Sequence, residues 1–168
     1  TVGRGSFSLE VSQLADRQVT TSPAFATAGD VVGAGTLTIR LGTMDGSSFN
    51  ADSERDPIDI TIDSGSTLSD IASAINGAGS GVTAYVAQTV DGDRLVLKGE
   101  EGAANGFVIE ATETLGEEGL AALAWEPVTG DGTQLIETAQ DALFELDGLA
   151  MSSTSNDTGQ IAPGLSLS

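Results

Sequence analysis

The feature that most restricts the fold of this chain is a set of short segments in which apolar and polar residues alternate. The alternation runs over Ser6–Ser12, over Thr36–Leu41 and over Ile58–Asp63. Successive side chains of a β-strand point to opposite faces of a sheet, so a period of two predicts strands with one buried face. We therefore expect a fold made mainly of sheets, with Ile60 among its core residues.

One segment has a helical period instead. Four apolar residues share one side of a helix because they fall three or four positions apart: Leu68, Ile71, Ala72 and Ile75. Thr67 and Asp70 resemble a capping box with aspartate in place of glutamate, and Gly77 offers a left-handed stop. These signals predict a short helix that packs on a sheet, with Ile71 in the core.

Turn residues divide the rest of the chain into further short elements. Glycine tolerates positive φ and aspartate bonds to nearby backbone, so Asp-Gly pairs between β-prone runs predict hairpins. The predicted elements are a hairpin of Val82–Val90 with Arg94–Lys98, a strand with Phe107, Ile109 and Ala111 on one face, a brief helix within Gly116–Trp125, a connector over Val128–Thr133, a hairpin of Ala142–Leu146 with Leu149–Ser152, and a strand over Ile161–Leu167 broken at Pro163 and Gly164.

The ionisable residues argue against several classes of function. The 168 residues include 25 Asp and Glu against 6 Lys and Arg, a net charge of −19, and there is neither His nor Cys. Such a charge repels nucleic-acid phosphates and anionic lipid headgroups, and no apolar run is long enough to span a bilayer. The commonest catalytic base and the thiol chemistry of cysteine are missing as well. We expect no enzyme activity, no catalytic residue, no cofactor or metal, and neither nucleic acid nor membrane as a partner.

The segment Gly42–Pro57 is the best candidate for a contact surface. It is polar and rich in Gly, Ser and Asp, which predicts a long exposed loop. Its candidate contact residues are Asp45, Ser48, Phe49, Asn50, Asp52, Glu54 and Asp56. The carboxylates, with Asp59, would also suit a weakly held cation or a glycosidase pair, but one Trp and one Tyr leave few sugar platforms. We interpret the segment as a solvated loop.

Two short acidic turns raise the question of calcium binding. Asp91-Gly92-Asp93 and Asp131-Gly132 offer closely spaced oxygen ligands, but neither has the alternating acids and final Glu of an EF-hand. We interpret both as plain turns. A secreted adhesin or carbohydrate-binding β module, steadied by calcium, is the main alternative function, and a hydrolase is the third.

The order of the elements resembles that of bacterial flagellar filament-cap proteins, also called hook-associated protein 2. The segment Gly5–Ala15 is similar to the entry into the outer head domains of that family. A flagellin hook repeat is suggested by the succession of Gly35–Ile39, Ile58–Asp63, Thr67–Asn76, Gly81–Ala84, Arg94–Leu97 and Gly102–Asn105. Four later segments resemble the closing hairpins of the same head: Gln140–Ala142, Asp147–Leu149, Ser155–Asn156 and Ile161–Leu165.

This resemblance implies a structural and assembly role. Such a protein is exported through the flagellar type III apparatus, sits outside the cell at the filament tip, and helps flagellin subunits fold and insert. Its partners would be flagellin and the other subunits of a homo-oligomeric cap, and in some pathogens host mucin or glycans. The long terminal helices of the family, which form coiled coils in the full-length protein, are not present between Thr1 and Ser168. The resemblance implies no catalytic residues.

We predict an α+β fold, mostly β, with two small strand-rich lobes and one or two short helices. The chain ends of an inserted arrangement return to a common sheet, so one lobe is expected to be inserted in the other. The outer head lobe would comprise residues 1–30 plus 134–168. The inserted lobe, with the flagellin-hook-like repeat, would comprise residues 31–133.

Overall fold

The computed structural model describes residues 6–128, 132–162 and 165–167. These residues form thirteen strands, one α-helix and two short 3-10 turns. The predicted break at Pro163 and Gly164 lies outside the described residues, as do residues 129–131 of the predicted connector and turn. Within the described chain, no helix has the length and apolar character needed to cross a membrane.

The elements follow one another closely along the chain. In order, they are β1 (Leu9–Gln13), β2 (Arg17–Thr21), β3 (Gly35–Asp45), β4 (Ser48–Ala51), β5 (Ile58–Ile62), α1 (Leu68–Gly77), β6 (Thr83–Thr89), β7 (Gly92–Glu101), β8 (Gly106–Glu113), β9 (Gln134–Glu137), β10 (Ala142–Leu146), β11 (Leu149–Ser153), β12 (Gly159–Ala162) and β13 (Leu165–Leu167). The 3-10 turns are Ala103–Asn105 and Leu120–Leu123.

Two four-stranded sheets share one apolar core, which we call the sandwich. The first sheet has the order β6-β7-β2-β9, and in the second β3 pairs with β4 and β5 on one side and with β8 on the other. The fully buried core side chains come from both sheets, from α1 and from the second 3-10 turn: Leu37, Ile39, Leu68, Ile71, Ile75, Leu95, Leu97, Phe107, Ile109, Leu120 and Leu123. Ile60 is also buried, which confirms both predicted core residues. The predicted α+β, mostly β class is confirmed.

Helix α1 packs beside β5 and β6 and begins at the predicted cap. The Thr67 hydroxyl accepts from the Asp70 N–H, and the Asp70 carboxylate accepts from the Thr67 N–H at 2.9 Å. The Thr67 N–H and the Thr67 hydroxyl both donate to this carboxylate and lower the pKa of Asp70, with the backbone N–H as the largest cause. The prediction that Gly77 stops the helix in a left-handed conformation is wrong. Ala78 caps the helix in a right-handed conformation, and the first residue after the helix with positive φ is Gly79.

The Asn76 amide protects the outer side of β6. Its Nδ2 donates to the Ala84 carbonyl at 2.8 Å, and its Oδ1 accepts from the Ala84 N–H at 2.8 Å. A neighbouring strand would make the same pair of bonds. The side chain at the end of α1 therefore takes the place of an additional strand at this point of the sheet edge.

Gln18 joins the two sheets of the sandwich through its side chain. It is fully buried in β2, its Nε2 donates to the Phe107 carbonyl at 2.8 Å, and its Oε1 accepts from the Phe107 N–H at 2.9 Å. A buried amide without partners costs free energy, so both ends of this side chain need the β8 backbone. The pair fixes β2 against β8.

A separate three-stranded sheet, which we call the outer sheet, has the order β1-β10-β11. The predicted Asp-Gly hairpin between β10 and β11 is confirmed, with φ of 51° at Asp147 and 80° at Gly148. The apolar side chains of β1 and its approach stay 41–50% exposed: Phe7, Leu9 and Val11. β12 and β13 pair only with each other among the described strands.

Hydrogen bonds connect the outer sheet to the sandwich near the two points where the chain passes from one to the other. The Asn156 amide bonds to both backbone groups of Ala15, at 2.8 and 2.9 Å. The Glu101 carboxylate accepts from the Asn156 N–H, which is the largest cause of the lowered pKa of Glu101. On the other side, the Asp141 carboxylate accepts from the Ala103 N–H at 2.7 Å. We call these contacts the junction.

Strands β2, β4 and β9 are absent from the sequence-based prediction. β2 and β9 fall in the ranges predicted for the outer lobe, yet they pair with each other in the sandwich, where β2 also pairs with β7. The predicted brief helix within Gly116–Trp125 is reduced to the four-residue 3-10 turn Leu120–Leu123. The division of the chain into two lobes stays a prediction.

Candidate contact surface

The predicted contact segment begins as a β-hairpin rather than a loop. The last four residues of β3 pair with β4, with Gly42 opposite Ala51 and Asp45 opposite Ser48. The prediction of a long loop over Gly42–Pro57 is therefore wrong up to Ala51. At Gly42 a Cβ would lie 2.1 Å from the Asn50 carbonyl oxygen, so glycine is needed for the strands to approach. The hairpin lacks a regular apolar alternation because most of its side chains are exposed.

The hairpin brings four of the predicted contact residues together. Asp45 and Ser48 face each other at its tip, and Phe49 and Asn50 follow along β4. Asp45, Ser48 and Asn50 are exposed, whereas Phe49 is half-buried opposite Met44. This end of the hairpin presents polar groups around one aromatic side chain.

The other three predicted contact residues lie in the turn that follows. The Asp52 carboxylate accepts from the Glu54 N–H at 2.9 Å and from Arg55 Nε at 2.7 Å, and both donors lower its pKa, the Glu54 N–H most. Arg55 in turn donates to the Asn105 side chain at 2.9 Å and to the Ala104 carbonyl. Asp52 is thus used to hold the turn against the sandwich, while Glu54 and Asp56 are exposed.

The acidic segments do not assemble into a metal site in the described part of the chain. No group of three or more carboxylates among residues 6–128, 132–162 and 165–167 is arranged to hold a metal ion. Asp59 instead accepts from the Thr38 hydroxyl at 2.6 Å. The Asp93 carboxylate accepts from the N–H of the distant Ala28 at 2.7 Å, and Asp131 lies outside the described residues.

Two surface grooves flank the hairpin. The first, of about 380 Å³, is lined by Met44, Gly46, Trp125, Glu126, Pro127, Thr133, Gln134 and Leu135. The second, of about 230 Å³, is lined by Arg40, Ser47, Phe49, Val108, Glu110, Glu126, Pro127 and Val128. They meet at Glu126 and Pro127, so the hairpin, the segment after Trp125 and β9 form one continuous surface.

Most of this surface was not predictable as a contact region from the sequence. Trp125 is buried, and its backbone pairs with that of Ile109 with N–O distances of 2.9 and 3.0 Å. It lines a groove together with Met44 and Gly46 of the hairpin. Arg40 forms an ion pair with Glu110 at 3.1 Å. The polar composition of Gly42–Pro57 was the signal for a contact region, and it did not locate β9.

Comparison with known proteins finds similarity to flagellar proteins. Residues 36–101 match the model of the flagellin hook IN motif. The chain is 26% identical over 175 residues to the A-type flagellar hook-associated protein 2 of Pseudomonas aeruginosa, a match that covers 96% of the chain and 34% of that protein. The chain therefore spans about one third of the length of this relative.

Solved structures of flagellar cap proteins have the same fold. The FliD (HAP2) structure from Pseudomonas aeruginosa is 27% identical, with a TM-score of 0.76 over 99% of this chain and 73% of that one. The D1-D2-D3 domains of the flagellar cap protein FliD from Escherichia coli are 23% identical, with a TM-score of 0.80 over 97% of this chain and 44% of that one. The likeness thus extends over nearly all of the chain.

Proposed function

Because the chain is similar to flagellar hook-associated protein 2 in sequence and in fold, we propose that it serves as the exposed head of a flagellar filament cap. In this role it lies outside the cell at the filament tip, is not an enzyme, and helps flagellin subunits fold and insert. Its partners are flagellin and the other cap subunits. The observation that carries the proposal is the likeness to the Pseudomonas aeruginosa cap structure over 99% of the chain.

The internal architecture supports a stiff, passive scaffold. The sandwich buries aliphatic side chains from two sheets and a helix, and burial stabilises by about 25 cal/mol per Å² of apolar area. A net charge of −19 keeps identical heads apart in solution. A rigid wall of this kind can confine a folding subunit without binding it permanently.

We propose a division of the chain that follows the strand pairing. The outer lobe would contain the outer sheet, and the inserted lobe would contain the whole sandwich with β2 and β9. The boundaries would then lie at the junction, near Ala15 and Gln140, rather than at residues 30 and 134. Limited proteolysis tests this division, since the sandwich is expected to survive as one fragment from about Asp16 to Ala139.

The β3–β4 hairpin and the turn after it are the proposed contact region of the head. The residues for this role are the exposed ones, Asp45, Ser48, Asn50, Glu54 and Asp56, with Phe49 at their centre. Asp52 supports them through the turn with Arg55.

Replacement of the head in the full-length protein tests the proposal. In the parent bacterium, a flexible linker in place of residues 6–167 should leave the cap in position but release unassembled flagellin into the medium and shorten the filaments. Immunoblots of the medium and electron microscopy of the filaments measure both effects. Filaments of normal length with no released flagellin would contradict the proposed function.

A further inference from the structure

The groove between β9 and the β3–β4 hairpin combines an open sheet edge with exposed apolar side chains. Among the described strands, β9 pairs with β2 only, so its outer backbone groups have no partner strand. Leu135 lines the groove and is 38% exposed, while Ile136, which follows it in β9 outside the groove lining, is 57% exposed. An unpaired edge with apolar residues is a template for the addition of a strand.

The opposite edge of the same sheet is different. There the Asn76 amide occupies both backbone groups of Ala84 in β6, and α1 packs beside the strand. The β6 edge is therefore blocked at Ala84, whereas β9 has no second partner strand among the described residues. The difference points to the β9 side as the place where the sheet accepts another chain.

The groove has a size and lining suited to an extended segment. Its volume is about 380 Å³, and its lining includes Met44 and Gly46 from the hairpin together with Trp125, Pro127 and Leu135. Apolar pockets for alternate side chains beside a free edge are the elements of β-strand addition. The pockets give specificity and the edge gives main-chain hydrogen bonds.

The charges around the groove select the kind of segment. Glu126 lines the groove, Asp45 stands at the hairpin tip and Glu137 ends β9. Arg40, in the adjoining groove, is paired with Glu110. A second copy of this chain, at −19, would be repelled, whereas basic residues at the ends of an apolar segment would be attracted.

We propose that the edge of β9 binds an extended apolar segment flanked by basic residues, taken from an unfolded polypeptide, as an added strand. The inference deepens the proposed function and rests on it for the natural occupant, a flagellin subunit before it folds. The added strand forms no covalent bond and leaves when the subunit folds.

A synthetic peptide tests the groove without flagellin. The probe is a short fluorescent peptide of alternating valine and threonine with lysines at both ends, titrated into the 168-residue chain and followed by fluorescence anisotropy. We expect saturable binding, together with slower amide exchange over Gln134–Glu137. The same peptide with methylated backbone nitrogens, or with glutamates in place of the lysines, should bind at least about tenfold more weakly, the equivalent of 1.4 kcal/mol.

Matched variants locate the binding. Leu135→Ala should weaken binding of the lysine-ended peptide about fivefold, because it removes an apolar wall of the groove. Val90→Ala is the control, since Val90 is fully exposed at the β6–β7 turn, far along the sheet. Equal effects of the two substitutions, equal binding of the methylated peptide, or dimers of the chain closed through β9 in analytical ultracentrifugation would each overturn the proposal.

The peptide experiment and the filament experiment test the groove and the proposed function independently. Peptide binding in the absence of any filament defect after head replacement would keep the groove but remove flagellin as its occupant. A filament defect without peptide binding would keep the proposed function and overturn the groove.

Discussion

The sandwich and the outer sheet are built from similar strands but are held together in different ways. In the sandwich, side chains such as Leu37, Ile71 and Phe107 are fully buried. In the outer sheet, only the central strand β10 is well buried, while Leu9 is 41% and Leu149 69% exposed. The comparison indicates that the sandwich is stabilised by its own apolar core, whereas the outer sheet depends more on the polar junction.

The largest expected effect comes from a charge placed in the sandwich core. Ile71→Asp should destabilise the sandwich by more than about 4 kcal/mol, because a carboxylate there has no partner. Thermal unfolding followed by circular dichroism measures the loss. Val90→Asp, at a fully exposed position, is the control and should melt like the parent. An Ile71→Asp chain with the parental melting temperature would show that the core is assigned wrongly.

Loss of the link between the two sheets should have the next largest effect. Gln18→Ala leaves the Phe107 N–H and carbonyl without their side-chain partners, which we expect to cost about 2–4 kcal/mol. Chemical denaturation gives the change in free energy of unfolding. Gln88→Ala, on the exposed part of β6, removes an amide of the same type and should change stability little. Equal losses in the two variants would exclude the proposed link.

A substitution at the junction should separate the two regions. Asn156→Ala removes both hydrogen bonds to Ala15 and should cost about 1–2 kcal/mol, confined to the outer sheet. Amide exchange is expected to quicken over β10 and β11 and to stay unchanged in α1. Asn50→Ala, in the exposed hairpin, provides the matched control. Faster exchange throughout the sandwich would mean that the junction supports both regions.

One substitution in the sandwich should increase stability. The Thr20 hydroxyl is fully buried in β2 and has no hydrogen-bond partner among the described residues. Thr20→Val keeps the shape and removes the unsatisfied group, so a gain of about 1 kcal/mol is expected. A higher denaturation midpoint with an unchanged slope would confirm it. A loss of stability would indicate that the hydroxyl has a partner such as a buried water.

The smallest expected effect concerns the stability of the sandwich at low pH. Glu113 accepts from the N–H groups of Ala121 and Gly119, at 2.9 and 2.7 Å, and these donors lower its pKa. A lowered pKa means that its stabilising effect is fully present above the ordinary glutamate value of about 4.3 and is lost as the pH falls through the folded-state value. Glu113→Gln should therefore slightly reduce the acid dependence of the melting temperature, which thermal scans at decreasing pH measure.

The sequence allowed prediction of the elements whose burial produces a regular pattern. β3 and β5 alternate because one face of each meets the core, and α1 has both an apolar stripe and a capping box. β2 escaped notice because Gln18 and Thr20 are polar yet buried. β9 did so because all four of its residues are exposed. Local patterns report burial, and they fail where a polar group is buried or an edge is open.

The candidate contact surface was predictable only in part, for a related reason. The polar composition indicated exposure around Phe49 correctly but gave no sign of the pairing between β3 and β4. Asp52 was indistinguishable in sequence from Asp56, although only Asp52 holds the turn through Arg55. The groove beyond the hairpin depends on β9, which is distant in the chain. Contacts between distant segments are not encoded in any local spacing.

The amide of Asn76 at the β6 edge has a consequence for how many molecules can join. An endless fibre of stacked sheets needs two complementary edges on every copy, one to receive and one to offer. Since Asn76 already bonds both backbone groups of Ala84, an added strand would have to displace it there, which disfavours growth by this route. Many copies of this protein at one place can therefore bind a strand from another protein with little tendency to polymerise through their sheet edges.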